Sequence, residues 1–443
     1  MKDSAAIPPI GQSKVFYGWW VVGACALIAL AAAVTRYAFS IFMPYMLQDL
    51  GWTRAAIGAA LTLHMIVYAV GAVFIGRLTD KYGSRWIMSA GGILLMAGLA
   101  VMSRIDSIWQ FYIGYSFIAA LGVTATYIVP NTATARQWFF KKAGLAVALV
   151  LAGSGLGLAV ISPISPYLIE RFGWRTSYLI IGFVVGFLAI LASVFVVRKN
   201  PESMGLLPDG EQHVPQNQIA SGPQPAHPLK EERWTVKEAL GTRSFWMFLM
   251  VYPLGAIALM GVLAHIAAWG FDIAKMEGMA TESVGKFIGT AMMVMALCAT
   301  GSRLVTGPLS DRVGRKPIIY ASYAIQILVF AYAVQVDSLS GFMIFAVANG
   351  IAYGAVMPLW VPFVADIFGR FSIATLMGML TFTGGVINGL GPVIFGWIFD
   401  KTGSYSGAFI FGIVTFMVSI ILVSMIKPVS KKKTGASLNI ATD

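Results

Sequence analysis

Charged residues are scarce in this 443-residue sequence, in which Asp, Glu, Lys and Arg make up 11% and hydrophobic residues 58%. Ordinary globular domains contain about 25% charged residues, more than twice this fraction. The mean hydropathy of the chain, +0.77, is correspondingly apolar. This composition excludes a soluble globular protein and predicts an integral membrane protein in a lipid bilayer. A net charge of +12 would suggest nucleic-acid binding in a soluble chain. Because the basic residues fall in short loops here, we expect no nucleic-acid partner.

The sequence is also poor in cysteine and lacks the short motifs of common enzymes. Its two cysteines, Cys25 and Cys298, lie in apolar runs without disulfide or metal-ligand spacing. It contains no Ser-His-Asp order, H-E-x-x-H motif, P-loop or metal-binding cluster. We therefore expect neither an enzyme nor a protein that holds a metal ion or a cofactor.

Apolar segments of membrane-spanning length recur along the whole chain. A helix of about 17–25 apolar residues crosses a bilayer and satisfies its backbone hydrogen bonds internally. The predicted fold class is therefore an all-α membrane protein with twelve transmembrane helices in two six-helix halves. The predicted segments are 19–46, 55–75, 86–102, 108–131, 143–168, 177–197, 245–271, 284–309, 317–336, 340–368, 373–399 and 408–425.

A polar stretch rich in proline, glycine and glutamine separates six predicted segments from the other six. We divide the chain into an N-terminal arm (1–18), a first half (19–197), a linker (198–242), a second half (243–426) and a tail (427–443). Of the 31 Lys and Arg residues, 22 lie on the side of the termini and seven on the other side. By the positive-inside rule, both termini are expected to be cytoplasmic in a plasma or inner membrane.

The two halves repeat one loop sequence. GRLTDKYGSR at 76–85 follows the second predicted segment, and GPLSDRVGRK at 307–316 follows the eighth. Asp80 and Asp311 are thus 231 positions apart (311 − 80), and loops 170–178 and 400–408 align with an offset of 230 (400 − 170). Parallel repeats of six helices are the layout of one large transporter fold.

With this loop in both halves, the chain resembles the major facilitator superfamily over nearly its whole length. WFFKKAGLAVALVLAGSGLG at 138–157, with AYG, DIFG and GLGPVIFG further on, is similar to the monocarboxylate transporter family. PNTATARQWF and the basic eighth segment are similar to the bacterial oxalate/formate antiporters. The resemblance implies a secondary active transporter that alternates between outward-open and inward-open states.

Two arginines lie inside predicted segments, Arg36 in the first and Arg303 in the eighth. A charge there costs several kcal/mol unless it is paired or faces water, so each is a functional candidate; for Arg303, snorkelling to the headgroups is the alternative. The resemblance implies that Arg303 binds the substrate carboxylate and that Arg36 stands where the monocarboxylate family has an essential lysine. Tyr37, Tyr127 and Tyr353 are further candidates for substrate contact.

Proton coupling has to be assigned without the family's usual carboxylate. Ala299 stands where the monocarboxylate family has an aspartate, and no predicted segment has Asp or Glu in its middle. His64 and His265 are the remaining candidates, because histidine titrates near neutral pH. A packing role is the alternative for each.

The repeated loops supply candidates for a gate. Asp80 with Arg85, and Asp311 with Arg315, combine opposite charges at helix ends, where ion pairs can hold the cytoplasmic face shut and break when it opens. The alternative is that these residues only fix the topology.

We expect a monomeric secondary active transporter of a small organic monocarboxylate such as lactate or pyruvate, coupled to protons. Exchange for another anion is left open. One alternative is an oxalate/formate-type dicarboxylate exchanger; another, of a different class, is a sensor that binds a carboxylate without moving it. The resemblance implies that the oxalate/formate antiporters carry a lysine where this chain has Gly384, so we expect monoanions to be favoured.

Overall fold

The computed structural model describes residues 16–139, 142–198, 200–210, 236–279, 281–368 and 373–427, which form helices and no strand. Eleven of these helices are long and apolar enough to cross a membrane. They are α1 Tyr17–Leu50, α2 Arg54–Tyr82, α3 Ser84–Met102, α4 Ile108–Trp138, α5 Ala143–Leu191, α6 Arg243–Met276, α7 Thr281–Val313, α8 Arg315–Ala333, α9 Leu339–Phe368, α10 Ile373–Thr402 and α11 Ser406–Met425. The predicted all-α membrane fold is confirmed.

Helix α5 contains two of the predicted membrane segments. The twelve predicted segments therefore correspond to eleven helices. Helix α5 runs for 49 residues but is interrupted at Gly173, whose φ of 74° and ψ of 160° are not helical. Glycine adopts a positive φ without steric cost, because it has no Cβ. The interruption falls between predicted segments 143–168 and 177–197.

Several helices extend beyond the apolar segments that predicted them. Helix α1 ends at Leu50, where Gly51 has a left-handed φ of 63° and its N–H bonds to the carbonyl oxygen of Leu47. Helix α6 continues to Met276, past the predicted end at 271. Hydropathy detects only the apolar part of a helix, so it does not show where a helix continues through polar residues. The extension of α6 places Asp272 inside a helix.

The repeated loops have the same backbone conformation in both halves. Gly83, before α3, has φ 85° and ψ 150°, and Gly314, before α8, has φ 96° and ψ 158°. Gly173 and Gly403, which the second pair of loops aligns, have φ values of 74° and 70°. Four glycines thus occupy repeat-related positions where a residue with a Cβ would be strained.

The chain forms two compact units. Within the described residues, the first is drawn from Met1–Gly51, Leu63–Gly222 and Ala280–Ala296, and the second from Trp52–Thr62, Pro223–Met279 and Leu297–Asp443. The first turns of α2 therefore belong to the second unit. Likewise, the first turns of α7 belong to the first unit.

Aromatic side chains fill the core of each unit. In the first unit, Trp19 and Phe139 pack with 4.5 Å between ring centroids. In the second unit, Trp269 packs against Phe345 and Phe409, with 4.9 Å between centroids in both pairs. Close packing of such rings helps to hold together the helices of each unit, including those that carry the polar groups described below.

The loop geometry predicts a sensitive glycine and a matched insensitive one. Gly314→Ala forces a residue with a Cβ into φ 96°, at a cost of about 1–3 kcal/mol. At Gly307, in the same loop sequence, a Cβ would meet no atom within 4 Å. We expect Gly314→Ala to lower the apparent Tm of the purified protein and Gly307→Ala to leave it unchanged, as measured by thermal unfolding. Equal Tm values for the two variants would contradict this.

Candidate functional site

Arg303 of α7, the eighth predicted segment, lies beside the ring of Tyr353 of α9. Its Cζ atom is 5.4 Å from the centroid of that ring, within the distance at which a cation is attracted to an aromatic face. The arginine is half-buried, and its Nε is buried without a hydrogen-bond partner among the described residues. The guanidinium group therefore has its Nε–H donor available for a further molecule.

Close packing of α7 on α9 fixes this arginine–tyrosine pair. The hydroxyl of Ser302 donates a hydrogen bond of 2.7 Å to the carbonyl oxygen of Ile351. A Cβ at Gly354 would overlap the backbone of Ala299. Glycine at 354 thus lets the two helices approach closely. Arg303 and Tyr353 each lie next to one of these contacts in sequence, so helix packing positions both side chains.

An aromatic wall, formed by Tyr252, Trp360 and Tyr353, adjoins the arginine. The rings of Tyr252 and Trp360 meet edge to face with 5.4 Å between centroids. The Tyr252 hydroxyl is hydrogen-bonded to the side chain of Thr381, and its phenol group is close enough to that of Tyr353 to interact electrostatically. A Cβ at Gly384 would lie 2.5 Å from the Tyr252 ring. The ring therefore occupies the space that a longer side chain at position 384 would need.

Helix α10 contributes an uncharged polar group next to this wall. Asn388 is half-buried, and its buried Oδ1 has no hydrogen-bond partner among the described residues. Its Nδ2 would be 3.4 Å from a Cβ at Gly384. An amide donates and accepts hydrogen bonds without carrying charge. This part of the second unit can therefore bind a polar but uncharged group.

In the first unit, Arg36 and His64 come together around Tyr115. Both the His64 ring and the Tyr115 phenol lie within electrostatic reach of Arg36, which is half-buried on α1 like its neighbour Tyr37. The rings of His64 and Tyr115 are stacked with 4.7 Å between centroids. Tyr115 belongs to a π-helical segment, Tyr112–Ala119, a feature that is frequent at functional sites.

The hydrogen bonding of His64 leaves one ring nitrogen available. Its Nδ1 is 3.0 Å from the carbonyl oxygen of Tyr115, and a carbonyl oxygen only accepts, so Nδ1 carries the hydrogen. The Nε2 of the neutral ring is then an acceptor, and it is buried without a partner among the described residues. His265 differs, because Nδ1 lies 3.0 Å from the Tyr405 hydroxyl and Nε2 lies 2.8 Å from the carbonyl oxygen of Pro392.

Tyr127 lies at a break in α4 that the sequence analysis missed. Its φ of −92° and ψ of −128° are not helical, and its ring packs edge-on against Tyr68 with 6.0 Å between centroids. The side-chain amide of Asn131 donates hydrogen bonds to the carbonyl oxygens of Thr126, at 2.7 Å, and of Tyr127. A backbone break inside a membrane helix needs such internal partners. The sequence does contain one indication of the break, because Asn131 is an amide in an apolar run four residues after Tyr127.

Two of the four predicted gate residues, Asp311 and Arg315, form an ion pair within the second unit. Arg315 forms an ion pair with Asp311 at 2.6 Å and a longer one with Asp366 at 3.4 Å. Asp366 belongs to α9, so Arg315 joins the start of α8 to α9 as well as to the end of α7. In the first unit, Arg85 lies over the Trp86 ring, with 5.2 Å from Cζ to the centroid. The side chain of Asp80 lies outside the described residues.

The predicted site residues therefore form two groups. Arg303 and Tyr353 belong to the second unit, with Tyr252, Trp360 and Asn388, which sequence reasoning missed. Arg36, Tyr37, His64 and Tyr127 belong to the first unit. Asn388 is the one amide or charge in the apolar run 373–399 of α10, and this could have identified it. The described residues contain no group of three or more His, Cys, Asp or Glu suited to a metal ion.

Comparison with known proteins gives one family and several distant relatives. A family model described as Major Facilitator Superfamily matches residues 25–299 and 257–441. Monocarboxylate transporter 12 of Mus musculus is 24% identical, covering 97% of this chain and 88% of the relative. Monocarboxylate transporter 2 of Homo sapiens is 26% identical, covering 90% and 82%. An oxalate:formate antiporter of Oxalobacter formigenes is 25% identical, covering 82% and 81%.

Solved structures share the fold at lower identity. A bacterial homologue of the human lysosomal transporter Spinster, in an inward-facing and unoccupied conformation, has a TM-score of 0.69 and 15% identity, covering 94% of this chain and 96% of that one. The nucleoside transporter NupG has a TM-score of 0.65 and 15% identity, covering 92% and 98%. At this identity, the likeness concerns the fold alone.

Proposed function

Because the chain belongs to the Major Facilitator Superfamily and is a multi-pass membrane transporter, we propose that it moves a small organic monocarboxylate, such as lactate or pyruvate, by alternating access. The observation that supports the proposal is Arg303, a half-buried guanidinium in an apolar helix that lies beside the Tyr353 ring and has a buried Nε without a hydrogen-bond partner among the described residues. Both termini are cytoplasmic in this proposal, and the working unit is a monomer.

The chemistry of arginine supports a carboxylate as the substrate. A guanidinium is planar, stays charged, and donates two parallel hydrogen bonds to a carboxylate, so it stabilises an anion in a low-dielectric site. The relatives named monocarboxylate transporter and oxalate:formate antiporter agree with such a ligand. Arg303 is thus the proposed carboxylate clamp, and Tyr353 is the ring that orients it.

The surroundings of Arg303 favour one carboxylate over two. Tyr252 and Trp360 offer apolar ring surface, Asn388 offers an uncharged amide, and Gly384 leaves no charge at its position. A 2-hydroxy or 2-oxo acid has one carboxylate, one polar group and a short apolar tail, which match these three features. A dianion would need a second cation to pair with its second carboxylate. The dicarboxylate exchanger is therefore the competing function.

The clamp predicts a strong loss of transport when Arg303 is changed. Arg303→Ala removes the charge and Arg303→Lys removes the paired donors, so we expect uptake of labelled lactate into proteoliposomes to fall at least about tenfold in both. Arg171→Ala is the matched control, because Arg171 is exposed and bonds to Tyr167. Uptake by Arg303→Ala at the wild-type level would overturn the clamp. Lactate binding by the wild type without uptake would indicate a sensor.

Proton coupling is assigned to His64 rather than His265. The buried Nε2 of His64 can accept a proton, whereas both ring nitrogens of His265 already have partners. We expect His64→Gln to flatten the dependence of uptake on pH, and His265→Gln to change it less. An unchanged pH profile in both variants would mean that the substrate brings its own proton, or that anions exchange without protons.

Competition between anions separates the two transport functions. Unlabelled lactate should inhibit uptake of labelled lactate at least tenfold more potently than oxalate, because an unpaired buried carboxylate costs several kcal/mol and about 1.4 kcal/mol corresponds to tenfold. Combining Gly384→Lys with Tyr252→Ala adds a cation and the space for it, so oxalate should gain potency. Equal potency of the two anions on the wild type would show that a second cation pairs with the dianion and that the dicarboxylate exchanger is right.

A further inference from the structure

The start of α2 carries a partly buried arginine that the carboxylate site does not use. One nitrogen of Arg54, Nη2, bonds both carboxylate oxygens of Asp272 at 2.8 and 2.7 Å, and Nη1 bonds the Tyr405 hydroxyl at 2.6 Å. The guanidinium also lies over the Phe399 ring, with 3.7 Å from Cζ to the centroid. The side chains of Arg54 and Asp272 are 12% and 31% exposed. This degree of burial makes the pair costly to break.

A second carboxylate caps the same helix from the far end of the chain. Asp400 accepts hydrogen bonds from the backbone N–H groups of Arg54, at 3.1 Å, and of Ala55, at 2.8 Å. The first N–H groups of a helix lack partners within it, and a negative charge there is favoured by the helix dipole. A cap normally comes from the preceding residue. Thr53 supplies such a cap by accepting a hydrogen bond of 3.1 Å from the N–H of Ala56, and Asp400 adds a second cap from the last turn of α10.

The hydrogen bonds of this cluster have a fixed direction. Because Arg54 can only donate, the Tyr405 hydroxyl accepts from it and directs its own hydrogen to Nδ1 of His265. Since the carbonyl oxygen of Pro392 only accepts, Nε2 of His265 carries the ring hydrogen. A neutral His265 thus satisfies both neighbours and acts as an anchor for Tyr405.

The backbones of α2 and α10 approach closely over the same turns. A Cβ at Gly58 would lie 2.6 Å from the carbonyl oxygen of Pro392, and one at Gly396 would lie 2.6 Å from the backbone of Arg54. The Thr62 hydroxyl donates a hydrogen bond to the carbonyl oxygen of Gly389. The polar cluster is therefore one end of a continuous contact between two helices.

The partners of Arg54 come from the other sequence repeat. Helix α2 belongs to the first six predicted segments, whereas Asp272, Asp400 and Tyr405 lie in or beside segments of the second six. The first unit has a related ion pair, Lys286 with Glu170 at 3.0 Å, but those side chains are 55% and 36% exposed. The cluster around Arg54 is the more buried of the two, so removing one of its partners leaves a more poorly solvated charge.

We propose that Arg54, Asp272, Asp400 and Tyr405 form a latch that holds the first turns of α2 in the second unit during one state of the transport cycle and opens in another. The inference rests on the proposed function in one respect, because alternating access requires the repeats to move relative to each other. A tie between repeats then has to break and re-form in each cycle. We call these four residues the Arg54 latch.

Hydrogen–deuterium exchange tests whether the latch exists, without any substrate. Asp272→Asn keeps the size of the side chain and removes its charge, so the amides of residues 54–62 should exchange at least about tenfold faster than in the wild type. Tyr405→Phe, which keeps the ring, should speed exchange by a smaller factor. Asp106→Asn is the control, because Asp106 pairs with Arg175 in the first unit at 3.7 Å. Wild-type exchange of these amides in both Asp272→Asn and Tyr405→Phe overturns the latch.

A reversible covalent tie tests whether the latch must open. In Arg54→Cys/Asp400→Cys, a short thiol cross-linker that reductant cleaves should reduce lactate uptake at least tenfold, and reduction should restore it. The wild type, treated in the same way, controls for Cys25 and Cys298. Full uptake by the cross-linked variant overturns the opening step. If the wild type transports no monocarboxylate, the proposed function fails, whereas the exchange rates still decide the latch.

Discussion

The cost of placing a positive charge among apolar helices is the constraint on which this structure depends. The chain meets that cost in two ways. Arg54 is surrounded by a carboxylate, a hydroxyl and an aromatic ring, so its charge is neutralised and its donors are used. Arg303 has an aromatic ring beside it and a buried donor without a partner among the described residues. We interpret the satisfied arginine as part of the transport machinery and the other as the group that meets the substrate.

Glycine connects these arginines to the helix packing. Gly354 lets α9 lie against α7, and this contact sets Tyr353 beside Arg303. Gly384 makes room for the Tyr252 ring, which closes one side of the same region. In each case, the absence of a side chain lets a neighbouring backbone or ring approach the glycine more closely than hydrophobic burial alone would specify. The sites therefore depend on backbone proximity, and most substitutions of these glycines should act through the neighbouring helix.

The sequence was sufficient for the fold and for finding two half-buried arginines within long apolar helices, because hydropathy and charge scarcity are strong signals over long segments. It could not supply contacts between residues that are distant in the chain. Asp272 lies one residue beyond the predicted end of its segment, and Asp400 is 346 positions from Arg54. The break at Tyr127 was also missed, because the apolar composition of a segment does not determine its backbone angles. Asn388 and Asn131 show that a single amide in an apolar run deserves the same scrutiny as a charge.

The most direct test of the account is a structure determined with bound lactate. The clamp predicts both carboxylate oxygens at about 2.7–2.9 Å from guanidinium nitrogens of Arg303. It also predicts that the methyl group lies against the rings of Tyr252 or Trp360. Lactate bound at a different place, with no contact to Arg303, would contradict the central claim.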